Sequence, residues 1–374
     1  MGCTIIGCGK ALPALEVAND DLAKLVETND EWIVTRTGIS SRHIAVDETG
    51  TDLAEAAARA ALGWSPDGWC EASLAPEDID LVIAATFTSD ALVPSAAGLL
   101  RERLGLENAI AFDLNAACTG FVYALTVAET MMAASAAGFP GAAGRNPIRR
   151  ALVVGSERLT HVTDWADRST CVLFGDGAGA AVVEWDEARP GILASFILNT
   201  TDDTGALSCP HAFDAPVPFD ADGVAPALLD GAGNVPYATM PPASHADDAH
   251  VAALQEPPLQ TVYMDGQKVF KFATEAMTEA IHRVLERSGV ALEDVACIVP
   301  HQANERIIKY AAKKLGLPLD LFQLSIANVG NTSAASVPMA LADAYAAGRI
   351  KRGDKVIMVA FGGGFTSGAV LFEA

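Results

Sequence analysis

Residues 77–83, Glu77-Asp78-Ile79-Asp80-Leu81-Val82-Ile83, are echoed in the last third of the chain by Glu293-Asp294-Val295-Ala296-Cys297-Ile298-Val299. In both copies an acidic pair leads into a run that is apolar on both faces, the pattern of a strand covered by helices on each side. The echo continues outward from this pair. A helix-like stretch ending Leu104-Gly105-Leu106 is matched by one ending Leu315-Gly316-Leu317. Cys118-Thr119-Gly120 before an apolar helical stretch is matched by Asn331-Thr332-Ser333 before another. Arg149-Arg150-Ala151-Leu152-Val153-Val154 is matched by Asp354-Lys355-Val356-Ile357-Met358-Val359, and Gly179-Ala180-Ala181-Val182-Val183 by Gly368-Ala369-Val370-Leu371. Matches kept in one order imply two similar halves.

The fold class is therefore α/β. The first half is expected over residues 1–190, with Cys118, and the second over 191–374, with His301 and Asn331. Two stretches read as insertions. Residues 135–149 are rich in Ala, Gly and Pro, and residues from about 199 to 260 are acidic, Pro-rich and without period. The second is too long for an ordinary connection and reads as a lid or surface excursion.

Composition narrows the function classes. Of the 374 residues, 51% are apolar and 19% charged, enough to bury a large core. A net charge of −22 repels nucleic acid and anionic membrane surfaces. Seven scattered cysteines with no C-x-x-C pair argue against a disulfide framework and a zinc site, and fit a reducing cytoplasm. No signal peptide is read at the N-terminus, and Ile6 stands where myristoylation needs Ser or Thr. The longest uncharged apolar run, Thr130 to Gly144, is too short to span a membrane.

Several positions could carry chemistry. Cys118 follows a β-like run, Ala109–Leu114, and precedes a helical pattern over Phe121–Met132. At such a junction the helix dipole and free N–H groups favour a nucleophilic thiolate, although a small buried apolar side chain is the simpler reading. His301, in Pro300-His301-Gln302-Ala303-Asn304, lies between a strand and a helix, and Asn331 reads first as a helix cap. The repeat is what brings these three together. It places Cys118 and Asn331 at equivalent helix starts, so two halves packed about a pseudo-twofold axis would join a thiol, an imidazole and an amide at one centre. Gly362-Gly363-Gly364 offers either an oxyanion-hole N–H or a simple turn between strands. Gly175-Asp176-Gly177-Ala178-Gly179-Ala180 fits a dinucleotide fingerprint in spelling only, since it opens a β-like run rather than a helix. Arg306, Lys309 and Lys313 form a basic stripe after His301, a solvated helix face or a dock for an acidic carrier.

These segments together resemble the β-ketoacyl-[acyl-carrier-protein] synthase III family of thiolase-like condensing enzymes. The resemblance also rests on Asp30-Glu31-Trp32-Ile33-Val34-Thr35-Arg36-Thr37-Gly38-Ile39, Leu173-Phe174-Gly175-Asp176-Gly177-Ala178-Gly179 and Gly330-Asn331-Thr332-Ser333-Ala334-Ala335-Ser336. It implies a thiolase-like five-layered αβαβα fold, a homodimer, and no metal or cofactor beyond coenzyme A thioester as substrate. An acyl group from acyl-CoA would pass to Cys118. Malonyl-acyl-carrier-protein would then lose carbon dioxide and condense with it, starting type II fatty acid biosynthesis.

The same resemblance implies individual roles. Cys118 and Gly363 N–H groups would hold the oxyanion, and His301 and Asn331 the malonyl thioester oxygen. Trp32, Arg36 and Arg168 would meet the nucleotide of coenzyme A. Phe174, Met264, Gly266, Phe270, Ala273 and Asn304 would line the pantetheine tunnel, and Arg306 would meet the carrier. Departures are Ser169, where the family often has Gly, and Asn328-Val329, where an aromatic or His is common. Val93 in Leu92-Val93-Pro94 takes the place of a large aromatic that would close the partner's acyl pocket, leaving room for a longer or branched primer. A priming ketosynthase of a secondary-product pathway keeps the same chemistry, while a silent partner subunit conflicts with the intact Cys118, His301 and Asn331.

Overall fold

A computed structural model of the chain describes residues 2–139, 146–210, 219–220, 223–224 and 261–374. In chain order the first part runs β1 (Gly2–Ala11), β2 (Leu15–Ala18), α1 (Asn19–Leu22), α2 (Asp30–Thr37), β3 (Ser41–Ile44), α3 (Gly50–Ala61), β4 (Trp69–Cys70) and β5 (Leu81–Ala85). It continues with α4 (Ala96–Arg103), β6 (Ile110–Leu114), α5 (Gly120–Ala136), β7 (Arg150–Arg158) and β8 (Asp176–Asp186). The second part holds β9 (Ile192–Asn199), β10 (Leu207–Ser208), a hairpin of β11 (Phe219–Asp220) and β12 (Gly223–Val224), β13 (Tyr263–Met264) and α6 (Gly266–Ser288). The rest is β14 (Val295–Pro300), α7 (Glu305–Leu315), α8 (Ile326–Val329), α9 (Ser336–Ala346), β15 (Lys355–Gly362) and β16 (Thr366–Glu373).

The strands form two large sheets, ordered β4-β1-β8-β7-β5-β6 and β9-β16-β15-β14. Four strands correspond between them, β1-β8-β7-β5 with β9-β16-β15-β14. In each set the last two strands are parallel and the other neighbours antiparallel. β6, parallel to β5, has its counterpart in a single parallel bridge from Ile298 to Phe322.

The sequence echoes fall on equivalent elements. Each acidic pair lies in a one-turn 3-10 helix, Pro76–Asp78 or Leu292–Asp294, just ahead of β5 or β14. Gly105 and Gly316 take left-handed φ values of 67° and 70° just past α4 and α7, which is how many helices terminate.

Stacking gives five layers. α3 and α4 cover the outer face of the first sheet through Leu53, Ala57, Leu100, Leu152 and Val182. α5 and α9 lie between the sheets, burying Phe121, Leu125, Met132, Val337 and Leu341 with Val153 and Met358. α6 and α7 cover the outer face of the second sheet. Removing each of these large side chains from water contributes roughly 1.5–3 kcal/mol.

Small residues permit the close approach. A Cβ at Gly9 would fall 2.5 Å from Ala60 Cβ and from Ala57 O, so α3 sits directly on β1. The segment Ala117–Ala136 is long and apolar enough by composition to cross a membrane, but it supplies the inter-sheet core. The expected insertion over about 199–260 lies mostly outside the described residues. Its first stretch is described, and there β10 pairs with β13. Within the 135–149 stretch, residues 140–145 also lie outside.

Candidate active site

Cys118 sits in a 3-10 turn, Ala117–Thr119, that feeds α5. His301 directly follows β14, its N–H donating to Val359 O at 2.8 Å. Asn331 precedes the 3-10 turn Ser333–Ala335 that feeds α9. All three line one cavity of about 860 Å³, together with Trp32, Arg36, Phe174, Met264, Gly266, Phe270, Asn304, Ser333, Phe361 and Gly363.

The two turns share one backbone device. Asn115 Oδ1 accepts from Ala117 N at 3.2 Å, and Asn331 Oδ1 accepts from Ser333 N at 2.9 Å. Ala117 and Ser333 both have positive φ, 45° and 48°, a strained conformation for residues other than glycine. This corrects the register read from sequence. Asn331 corresponds to Asn115, and Cys118 corresponds to Ala334. The sequence match is three residues off because a short Thr-Gly and Thr-Ser similarity outweighs the asparagines.

Each turn presses on the other half. A Cβ at Gly362, at the end of β15, would lie 2.8 Å from Cys118 N, and one at Gly155, in β7, would lie 2.2 Å from Ala334 O. The Phe361–Phe365 stretch is indeed a turn between paired strands, and it is also laid against the cysteine. Thr119 Oγ1 and Thr366 Oγ1, 2.8 Å apart, tie the Cys118 turn to the start of β16.

The imidazole of His301 is buried, with Nδ1 2.5 Å from Ser336 Oγ and the ring edge-on to Phe361. Burial pulls its pKa down to about 3, so the ring is neutral at ordinary pH. Ser336 Oγ already accepts the Gln302 N–H at 3.2 Å. A proton given by Ser336 to Nδ1 would leave Nε2–H as the ring's donor. Asn331 is fixed on three sides. Its N–H donates to Leu173 O at 2.8 Å, its carbonyl accepts from Gly175 N at 3.0 Å, and Ser333 N holds Oδ1, leaving the amide NH₂ as the free end. The Leu173–Gly179 segment thus leads into β8 and clamps Asn331, which explains a glycine pattern that resembles a nucleotide motif.

Cys118 departs from expectation. The helix start favours thiolate, but burial pushes the thiol up to about 12, so it keeps its proton at rest. The Ser333 hydroxyl opposes the shift.

Toward the cavity mouth Trp32 lies under two guanidiniums, Arg36 at 4.4 Å and Arg168 at 4.8 Å from the ring centroid. Arg168 also donates to Glu27 O at 2.8 Å. Asn304 caps α7 through Arg306 N and reaches Arg36 O with its amide, linking α7 to α2. Ser169 hydrogen-bonds to Asp167 and lines the cavity. Arg306, Lys309 and Lys313 are exposed on α7, although Lys309 is paired with Glu305 at 2.7 Å. Leu92 and Val93 project outward, 65% and 87% exposed.

Ala273 is a correction. It is fully buried in the core of the second half with Met277 and Phe322 rather than on the cavity wall, because α6 has turned its inner face toward the second sheet by that point. Sequence reading missed Asn199, Asp202, Leu207, Ser208 and Cys209, which also wall the cavity. They sit where the chain loses any period, so no pattern marked them. Ser333 was read only as part of a motif.

A thiol at a helix start, a neutral buried imidazole and an oriented amide, mounted on a duplicated αβαβα core, define a thiolase-fold condensing enzyme. Residues 112–201 match the 3-oxoacyl-[acyl-carrier-protein] synthase III family model, and residues 285–374 match the model of its C-terminal part. A β-ketoacyl-[acyl-carrier-protein] synthase III of Thiobacillus denitrificans is 44% identical over 99% of this chain and 98% of its own. The crystal structure of the Aquifex aeolicus 3-oxoacyl-[acyl-carrier-protein] synthase III is 39% identical, covers 100% of both chains and superposes with a TM-score of 0.79. A priming β-ketosynthase from a polyketide biosynthetic pathway superposes with a TM-score of 0.80 at 32% identity, over 100% of this chain and 96% of that one. The chain belongs to the β-ketoacyl-[acyl-carrier-protein] synthase III family and is an acyl-transferring condensing enzyme.

Proposed function

We propose that the protein loads an acyl group from acyl-coenzyme A onto Cys118 and condenses it with malonyl-acyl-carrier-protein, releasing carbon dioxide and 3-oxoacyl-acyl-carrier-protein. The observation that carries this reading is the convergence of Cys118, His301 and Asn331 on one cavity. Cys118 attacks the thioester carbonyl, and the N–H groups of Cys118 and Gly363 stabilise the tetrahedral oxyanion. After loading, the His301 Nε2–H and the Asn331 amide donate to the malonyl thioester oxygen, where charge grows as the carboxylate leaves as carbon dioxide. A permanently neutral imidazole suits this role, since it donates without itself titrating. The new carbanion attacks the acyl carbon and frees Cys118.

The cationic cluster at the mouth, Arg36 and Arg168 around Trp32, suits the adenine and phosphates of coenzyme A. Arg306, Lys309 and Lys313 suit an acidic carrier protein arriving at the same mouth. The working unit is a cytoplasmic homodimer in which exposed Leu92 and Val93 reach the partner's acyl pocket. The intact mass of the protein after incubation with acetyl- to octanoyl-coenzyme A tests this reading. One acyl adduct is expected on the wild type and none on Cys118→Ala. No adduct on the wild type, or an equal one on Cys118→Ala, refutes the assignment.

A further inference from the structure

Glu157, near the end of β7, is fully buried and has no role in the steps above. Its Oε2 accepts from Thr88 Oγ1, from Thr86 Oγ1 and Thr88 N at 3.2 Å, and from Phe87 N at 3.3 Å. Its other oxygen, Oε1, accepts from Ser333 Oγ at 3.2 Å. Ser333 lines the same cavity as Cys118, and its hydroxyl favours the thiolate there. The Ser333 hydroxyl is therefore placed between the thiol and a carboxylate. Ser333 is held there in a strained conformation, φ 48°, with its N–H on Asn331.

We propose that Glu157, acting through the Ser333 hydroxyl, receives the thiol proton of Cys118 as the acyl group is loaded. This rests on Cys118 being the acylated nucleophile. As Sγ bonds to the thioester carbonyl carbon, Ser333 Oγ takes the thiol proton and passes its own to Glu157 Oε1. The tetrahedral intermediate then collapses. Its bond to the coenzyme A sulfur breaks, the electron pair leaves with that sulfur, and the proton returns through Ser333 to give free coenzyme A thiol. Glu157 ends as it began.

The chemistry of the neighbours favours this acceptor. Cys118 needs one, because burial keeps it a thiol. His301 is a poor candidate, since burial makes it a weak base and Ser336 occupies Nδ1. Glu157 is better matched, since burial raises it to about 7, opposed by the hydroxyl and N–H donors around it.

Among the described residues, Glu157 has no salt-bridge partner. Cys118 and Cys209 feel that charge. Arg158, next on β7, faces Asp90 at 3.4 Å and His161. Asp176 on β8 is held by Thr160 and the Ala45 N–H. From beyond the end of β5 come only the Thr86 and Thr88 hydroxyls, with the Phe87 and Thr88 N–H groups.

Rapid-quench mass spectrometry of single-turnover acylation, with acetyl- to octanoyl-coenzyme A and run across pH, tests the relay. In the wild type the rate should climb as pH rises through about 7, where Glu157 gives up its proton. Glu157→Gln should lose that step and acylate about 10²-fold more slowly. Release of carbon dioxide from malonyl-acyl-carrier-protein by enzyme already carrying its acyl group should stay within about threefold, since that step precedes any proton transfer at the Cys118 sulfur. Ser333→Ala keeps every Oε2 donor, and should lose the same step if Glu157→Gln does not fold. Glu157→Asp should restore part of the rate with a displaced step. Acylation by Glu157→Gln at the wild-type rate and pH dependence overturns the relay alone. A wild type that forms no Cys118 adduct overturns the acyl-carrier assignment, and the relay with it.

Discussion

The turn at 115–118 and the turn at 331–334 have the same construction and opposite chemistry. Each has an asparagine whose Oδ1 holds the N–H of a positive-φ residue, and each then enters an inter-sheet helix. In the first turn the asparagine is exposed and the residue three places on carries the thiol. In the second the asparagine is largely buried and the matching position is Ala334. One backbone device thus presents a thiol in one half and a side-chain amide in the other. The two halves share the geometry and differ at single positions.

Breaking the first turn at its functional position should have the largest effect. Cys118→Ala should reduce overall turnover by at least about 10⁴-fold, measured as 3-oxoacyl product, because nothing else in the turn can form the thioester. The equivalent break in the second turn, Asn331→Ala, should leave the acyl adduct intact and slow condensation by about 10²–10³-fold, the usual cost of one lost donor to a developing oxyanion.

The two glycines sharpen the comparison. Gly362→Ala and Gly155→Ala should each destabilise the protein by about 1–3 kcal/mol in denaturant titrations, since their Cβ atoms meet backbone. Gly362→Ala crowds the Cys118 turn and should mainly slow acylation. Gly155→Ala crowds the Asn331 turn and should mainly slow condensation. The smallest effect is expected at Asn115→Ala, where an exposed, long hydrogen bond is lost. Stability should fall by about 0.5–1 kcal/mol and acylation only a few-fold.

Much of this was legible before the fold was known. The echoes around Leu81 and Val295 marked equivalent strands because buried strands advertise themselves as apolar runs and helix ends as glycines. The convergence of Cys118, His301 and Asn331 followed from the repeat. The register between the turns was not legible, because positive φ at Ala117 and Ser333 leaves no mark in an alanine or a serine. Ala273 was misplaced because a motif position cannot say which way a helix face has rotated. The cavity wall at Asn199–Cys209 carried no period, since short β-bridges such as β10 with β13 are fixed by long-range pairing. Glu157 was silent for a related reason. Its meaning lies in Thr86, Thr88 and Ser333, which only the fold brings to it.

In the proposed mechanism the first half holds the acyl group and the second drives the condensation. The most direct test is His301→Ala, loaded with acyl-coenzyme A, followed by intact mass before and after malonyl-acyl-carrier-protein is added. An acyl adduct on Cys118 close to wild-type extent is expected, which then persists with little or no 3-oxoacyl product. An enzyme that fails to load, or one that loads and condenses at the wild-type rate, contradicts that mechanism.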